Sequence, residues 1–200
     1  MDNQFKKSLK FSLSIAVITF VLAAIFSVIS SSALSGVIWI VGIFIVLVIV
    51  FIGVIFDMLG IAATAAQETP FHAMASEKIR GAKEAIIIVR NADRFASFCN
   101  DVIGDISGIV SGTASTVVVL QVVNVLGYND GSTFQLVLSV VVTSVVAAIT
   151  VGGKALGKYF AIHSSTKVIF AAARFIALVE DKTKINILSS ASNNQARKSR

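Results

Sequence analysis

An all-α polytopic membrane protein, with about four transmembrane helices and amphipathic juxtamembrane (belt) helices, is the fold class this sequence predicts. Three observations predict it. Of 200 residues, 56% are hydrophobic and 14% charged, where soluble chains carry about 25% charge. From Phe11 to Phe56 there is no Asp, Glu, Lys, Arg or His. All 17 Lys and Arg fall in the N-terminal head, in Lys78–Arg94, or after Gly153.

The elements follow in order. Met1–Lys10 is a short basic head with Lys6, Lys7 and Lys10. The uncharged run after it is 46 residues long, far more than the roughly 20 that one ~30 Å hydrocarbon core needs, and it suits two crossings. Apolar density drops at Ser30–Gly36, so the crossings are placed at Phe11–Ile29 and Val37–Phe56, with Trp39 as an aromatic anchor near the outer end of the second. Thr69-Pro70 reads as a helix start, Thr as N-cap and Pro at the first helical position. Phe71–Val89 carries an apolar stripe of Phe71, Met74, Ala75, Ile79, Ala82, Ile86 and Val89 against Glu77, Lys78, Arg80, Lys83 and Glu84, so it lies on the membrane surface or against the bundle. Asn91-Ala92-Asp93 turns into a third crossing, Ser97–Val125. Gly127–Ser132 is a tight turn in which Asn-Asp-Gly supplies positive φ. A fourth crossing, Phe134–Val151, ends where Gly152-Gly153 interrupts it. Ala155–Val179 is a second amphipathic stretch at the interface, a belt around the bundle. The polar, basic segment Ser189–Arg200 reads as disordered.

Three regions result: residues 1–36, the head with an extra first crossing; 37–180, the transmembrane domain with its juxtamembrane helices; and 181–200, a polar basic tail. The expected outer turns contain no Lys or Arg. Four crossings with both termini cytoplasmic, multi-pass in the cell membrane, therefore satisfy the positive-inside rule. The same distribution argues against nucleic acid as partner, because the bases behind the +6 net charge are juxtamembrane. A single cysteine, Cys99, excludes an intrachain disulfide framework. His72 and His163 are far apart and no His/Cys cluster supports a transition-metal site. No phosphate loop, nucleophile elbow or HExxH occurs, so the chain is not read as an enzyme.

Cys99–Gly112 is the stretch that carries chemistry. Asp101 and Asp105 stand four apart on one helical face at the start of the third crossing. An ionised carboxylate at the centre of a membrane helix costs about 2.5–3.5 kcal/mol on insertion scales, and such residues face a bundle interior or a wet cavity. Gly104, Gly108 and Gly112 form one small-residue row; Ser107, Ser111 and Ser115 form another. Small rows admit close helix contact and leave hydroxyls and carbonyls inside it. A carboxylate beside such a seam points to an ion site. Mg²⁺, which prefers hard oxygen ligands, suits Asp105 with Ser107 and Ser111; the plain alternatives are a capped structural carboxylate and packing hydroxyls. Asn100 and Asn124 are weaker candidates, and Asp101 reads as interfacial.

Asp57–Ala66 after a crossing, then Phe71–Ala75 and Lys78–Ala82, resembles the start of the CNNM/CorC transmembrane domain. The resemblance continues at Ile103-Gly104-Asp105, where that family has Gly-Asn, and ends at Gly153–Lys158, where it has Gly-Glu-x-x-Pro-Lys. It spans roughly residues 37–175. It implies a dimeric integral-membrane protein of Mg²⁺ export or homeostasis, with the cation bound midway in the membrane and Na⁺ as the suspected counter-ion. On this match Asp57 stands where the family has Ser, Gly60 where it has Glu, Lys154 where it has Glu and Gly157 where it has Pro. The chain is read as a stand-alone domain without CBS-type modules, so regulation would come from another protein. Asp57 is then a ligand or an ordinary polar helix end. Lys154 is an ammonium seated in the place of a lost cation, paired with Asp57 or Asp105, or a lysine snorkelling from a helix end. Two functions follow: a Mg²⁺ transporter or exchanger acting as a homodimer, or a non-transporting regulatory or assembly protein whose site Lys154 fills.

Overall fold

The computed structural model describes residues 2–129 and 131–183, which are predominantly helical with no strand. In chain order the helices are α1 (Asp2–Ser35), α2 (Trp39–Ala65), α3 (Thr69–Ser76), α4 (Ala82–Arg90), α5 (Ala92–Ser97), α6 (Asp105–Val125), α7 (Thr133–His163) and α8 (Ser165–Thr183). A π-helical segment, Phe98–Gly104, joins α5 to α6. Four stretches are long and apolar enough to cross a membrane: Ser8–Ser35, Trp39–Ala65, Ala92–Val125 and Thr133–His163. The chain is an all-α polytopic membrane protein.

Several boundaries differ from the sequence expectation. The serines of Ser30–Ser35 do not end the first helix, which runs to Ser35 and breaks only over Gly36–Ile38. The Ser35 hydroxyl donates to the carbonyl of Ser32 at 2.8 Å, an internal bond that lets the last turn persist although apolar density falls. Helix α3 begins one residue early, so Thr69 is already helical; Glu68 is the cap and makes no side-chain capping bond. The single amphipathic helix expected over Phe71–Val89 is two. Lys78 takes φ +59° and Gly81 φ +92°, left-handed values that break a right-handed helix. Gly81 is held there by packing: a Cβ on it would lie 2.9 Å from the Arg174 Cα. Asn91 separates α4 from α5, and its side-chain Nδ2 donates to the Ile87 carbonyl at 2.8 Å, so the third apolar stretch starts at Ala92.

Gly152-Gly153 do not interrupt α7 either. Two glycines cost roughly 1 kcal/mol each in a helix interior, but Gly153 gives α7 a close approach to α2, its missing Cβ being 3.0 Å from Val54 Cγ2. The second amphipathic stretch is divided at Ser164, between the end of α7 and α8. In the turn before α7 positive φ is supplied by glycine, at Gly127 (+75°) and Gly131 (+82°), and not by Asn129. The expected disorder of Ser189–Arg200 lies outside the described residues.

The chain forms two units, divided inside α2 and α7: residues up to Ile55 with Asp101–Lys154, and Phe56–Asn100 with residues from Ala155 onward. In the first, α1 runs parallel to α6. Ile15, Leu22 and Ala23 pack on Val102, Ile106 and Val110, and Leu34 joins Val46, Ala114 and Val118 further along. The Gln121 amide donates to the Leu34 carbonyl at 2.6 Å, which also accepts from the Val37 N–H just past the end of α1 at 3.3 Å. Helix α2 meets α6 through glycine: a Cβ on Gly53 would lie 2.7 Å from Ser107 Cβ, and one on Gly42 2.7 Å from Val118 Cγ2. In the second unit, Ala62 and Ala63 of α2, Phe71, Ala85, Ile88, Ala161, Ile169 and Ala173 form one core, all essentially fully buried.

Candidate cation site

Helix α6 shows which of its small rows is packed. Ser107, Ser111 and Ser115 are buried, with Ser107 seated against Gly53 of α2. Their hydroxyls donate to the carbonyls of Ile103 (2.8 Å), Gly108 (2.9 Å) and Ser111 (2.7 Å). Each oxygen therefore keeps only acceptor capacity for anything else. Gly108 and Gly112 have nothing within 4 Å of where a Cβ would stand. The serine row makes the close contact, and beyond Gly104 the glycine row does not.

Asp105 opens α6 on a different flank, about 200° round the helix from Ser107. Its side chain is 65% exposed, and its Oδ1 lies 3.8 Å from Nζ of Lys154 on α7, which is 23% exposed. The structure thus brings Asp105 to Lys154 and not to Ser107 or Ser111. Asp101, on the π-helical segment, is also exposed. No three His, Cys, Asp or Glu side chains come together among the described residues, so a cation held here would draw on amide, hydroxyl and backbone oxygens beside at most two carboxylates.

Asp57 belongs to the other unit, where α2 buries it to 7% exposure. One turn on, and on the same face, Gly60 meets Asn100. A Cβ on Gly60 would lie 2.0 Å from Asn100 Oδ1 and 2.7 Å from its Cγ. Only glycine leaves room for this amide. The Asn100 Oδ1 is buried and receives no hydrogen bond from any described residue. A buried acceptor without a donor costs about 1–3 kcal/mol unless something else meets it. Asn100 is also part of the π-helical segment, a geometry that occurs often at functional sites. The buried acidic residue of α2, and one turn on the glycine cradle with the unmatched amide oxygen, make this stretch the candidate oxygen site. By sequence Asn100 is one of the weaker candidates, together with Asn124. The one available signal was the pairing of a glycine after Asp57 with an amide in the next crossing.

Outside the apolar stretches, Glu68 accepts hydrogen bonds from Arg90 Nε at 3.0 Å and shares a 3.1 Å contact with His72 Nε2. The Arg90 bond first, and His72 after it, hold its carboxyl below the ordinary value of 4.5. A depressed folded-state value means that ionised Glu68 stabilises the fold above pH 4.5 and that the contribution disappears as pH falls through the folded value. Melting temperatures of wild type and Arg90→Gln should therefore differ by a constant small amount at neutral pH, reduced by solvent and salt screening, and converge in acid. A gap that widens in acid would reverse the assignment.

Comparison of the chain with protein-family models, with curated proteins and with solved structures finds no match.

Proposed function

We propose that this chain is an integral-membrane cation transporter or exchanger, with Mg²⁺ as substrate and Na⁺ as the exchanged ion. It acts as a homodimer in the cell membrane with both termini cytoplasmic. The observation that carries the reading is the oxygen site of the second unit: buried Asp57, with Asn100 Oδ1 unmatched against Gly60 one turn on. A hard cation is the ligand such oxygens suit, and substrate and ion pathways are among the roles that ionisable groups within membrane helices serve. The resemblance to the CNNM/CorC transmembrane domain supports the same function, and the restriction of Lys and Arg to the head, the middle segment and the region after Gly153 supports the orientation.

A second reading is favoured by the approach of Lys154 to Asp105. An ammonium already beside the α6 carboxylate is what a non-transporting descendant would carry, serving as regulator or assembly partner of another transporter. Mg²⁺ flux into proteoliposomes loaded with a Mg²⁺-sensitive dye separates the two. Transport predicts flux in the wild type that falls about tenfold or more in Asp57→Asn, the loss expected when a charged ligand is neutralised. A silent wild type that gains flux in Lys154→Glu supports the second reading. Wild-type flux unaffected by Asp57→Asn removes Asp57 from the path.

A further inference from the structure

We propose that the outer face formed by the end of α7 and by α8 is a docking surface for the anionic phospholipid headgroups of the membrane that α7 enters. From Ala155 to Val179 there is no Asp or Glu, while Lys158, Lys167 and Arg174 are all exposed. On α8, Lys167, Arg174, Leu178 and Phe175 are exposed, the last at 67%, although the Arg174 backbone also meets Gly81, while Ile169, Ala173 and Ala177 are buried. Along the end of α7, Lys158 stands among exposed Tyr159, Phe160 and Ile162. Large exposed apolar side chains among bases, in a stretch with no acid from Ala155 to Val179, match the chemistry of an interfacial helix on a negatively charged leaflet: the rings enter the acyl boundary and the bases meet phosphate. The continuity of α7 from Thr133 to His163 fixes the source. The same helix supplies an apolar stretch of spanning length and the first of these bases, so headgroups lie next to it in the chain's own membrane. The first acids after this stretch, Glu180 and Asp181, fall at its end, and Asp181 is engaged by Arg80.

The test uses the full chain, one copy per nanodisc, in phosphatidylcholine with increasing phosphatidylglycerol, read by amide hydrogen exchange over residues 155–179. Protection should rise with phosphatidylglycerol in the wild type. In Lys158→Gln, Lys167→Gln and Arg174→Gln the half-saturating phosphatidylglycerol fraction should increase about fivefold per base removed, whereas Lys158→Arg and Lys167→Arg should keep the wild-type response. Equal protection in both lipids overturns the proposal, as does a phosphatidylglycerol response that survives all three glutamines. Protection that follows two copies per disc rather than lipid charge means a second chain covers this face, and also overturns it.

Discussion

Gly53→Ala is expected to lower the stability of the protein by about 2–3 kcal/mol, the cost of forcing an extra methyl into a packed contact. The new Cβ would stand 2.7 Å from Ser107 Cβ and 3.3 Å from its Oγ. Ser107 Cβ is fixed to the α6 backbone, so no side-chain rotation relieves the clash and α2 must move away from α6. Gly42→Ala meets Val118 Cγ2 at the same 2.7 Å, but a valine rotamer can yield, and the loss should be smaller. Gly108→Ala and Gly112→Ala serve as controls. Nothing stands within 4 Å of either new Cβ, so each should be neutral or gain up to about 1 kcal/mol from helix propensity. Thermal melting of the purified variants in detergent gives the order. If Gly108→Ala or Gly112→Ala proves the more damaging, that row is packed by a second copy in the assembled protein.

Asn100→Leu is expected to have opposite effects with and without cation. The Asn100 Oδ1 is buried and has no donor among the described residues. Replacing an unmatched polar group by an apolar one of similar volume should leave the metal-free protein unharmed, or more stable by about 1–2 kcal/mol. With a cation the balance reverses. A ligand that binds only the folded state at 100 times its Kd adds about 2.7 kcal/mol. The wild type should show this increment when titrated with Mg²⁺, Asn100→Leu should lose it, and Asn100→Asp should retain it. A wild type that melts at the same temperature with and without Mg²⁺ and Na⁺ would leave Asn100 with a structural role alone, and would remove the main support for transport. Gly60→Ala gives an independent check: the Cβ would overlap Asn100 Oδ1 at 2.0 Å, so its damage should shrink in an Asn100→Ala background, a coupling that separate sites would not show.

The two experiments bear on different claims. The glycine series reads how α2 packs against α6 and holds whether or not the protein transports an ion. The Asn100 series reads the oxygen site, and the flux measurement reads transport itself. A protein that binds Mg²⁺ through Asn100 yet moves none would keep the site while favouring the regulatory reading, in which Lys154 at 3.8 Å from Asp105 is the telling contact.

Hydropathy is a local property, and so the sequence by itself determined the helical class, the four apolar stretches and the presence of amphipathic segments between and after them. Runs such as Phe11–Phe56 cannot be accommodated by anything but lipid or a large core, and helix is the state that satisfies every backbone group in lipid. Where the sequence misled, a contact with a distant residue decided the outcome. Phe71–Val89 has an unbroken helical stripe, yet the packing of Gly81 on Arg174 splits it. Gly152-Gly153 has the composition of a break, yet a close approach to Val54 keeps α7 whole. The site shows the same division. Asp57, Asp105 and Lys154 could be singled out as charges beside apolar runs, because their cost in lipid is visible residue by residue. Which of two parallel small rows on α6 is packed depends on where Gly53 of α2 falls. That the Asn100 Oδ1 meets no donor among the described residues, and lies where only a glycine leaves room, is decided by Gly60, forty positions away, and by the helix around it. Periodicity fixes which residues share a face; only the neighbouring helix fixes what that face meets.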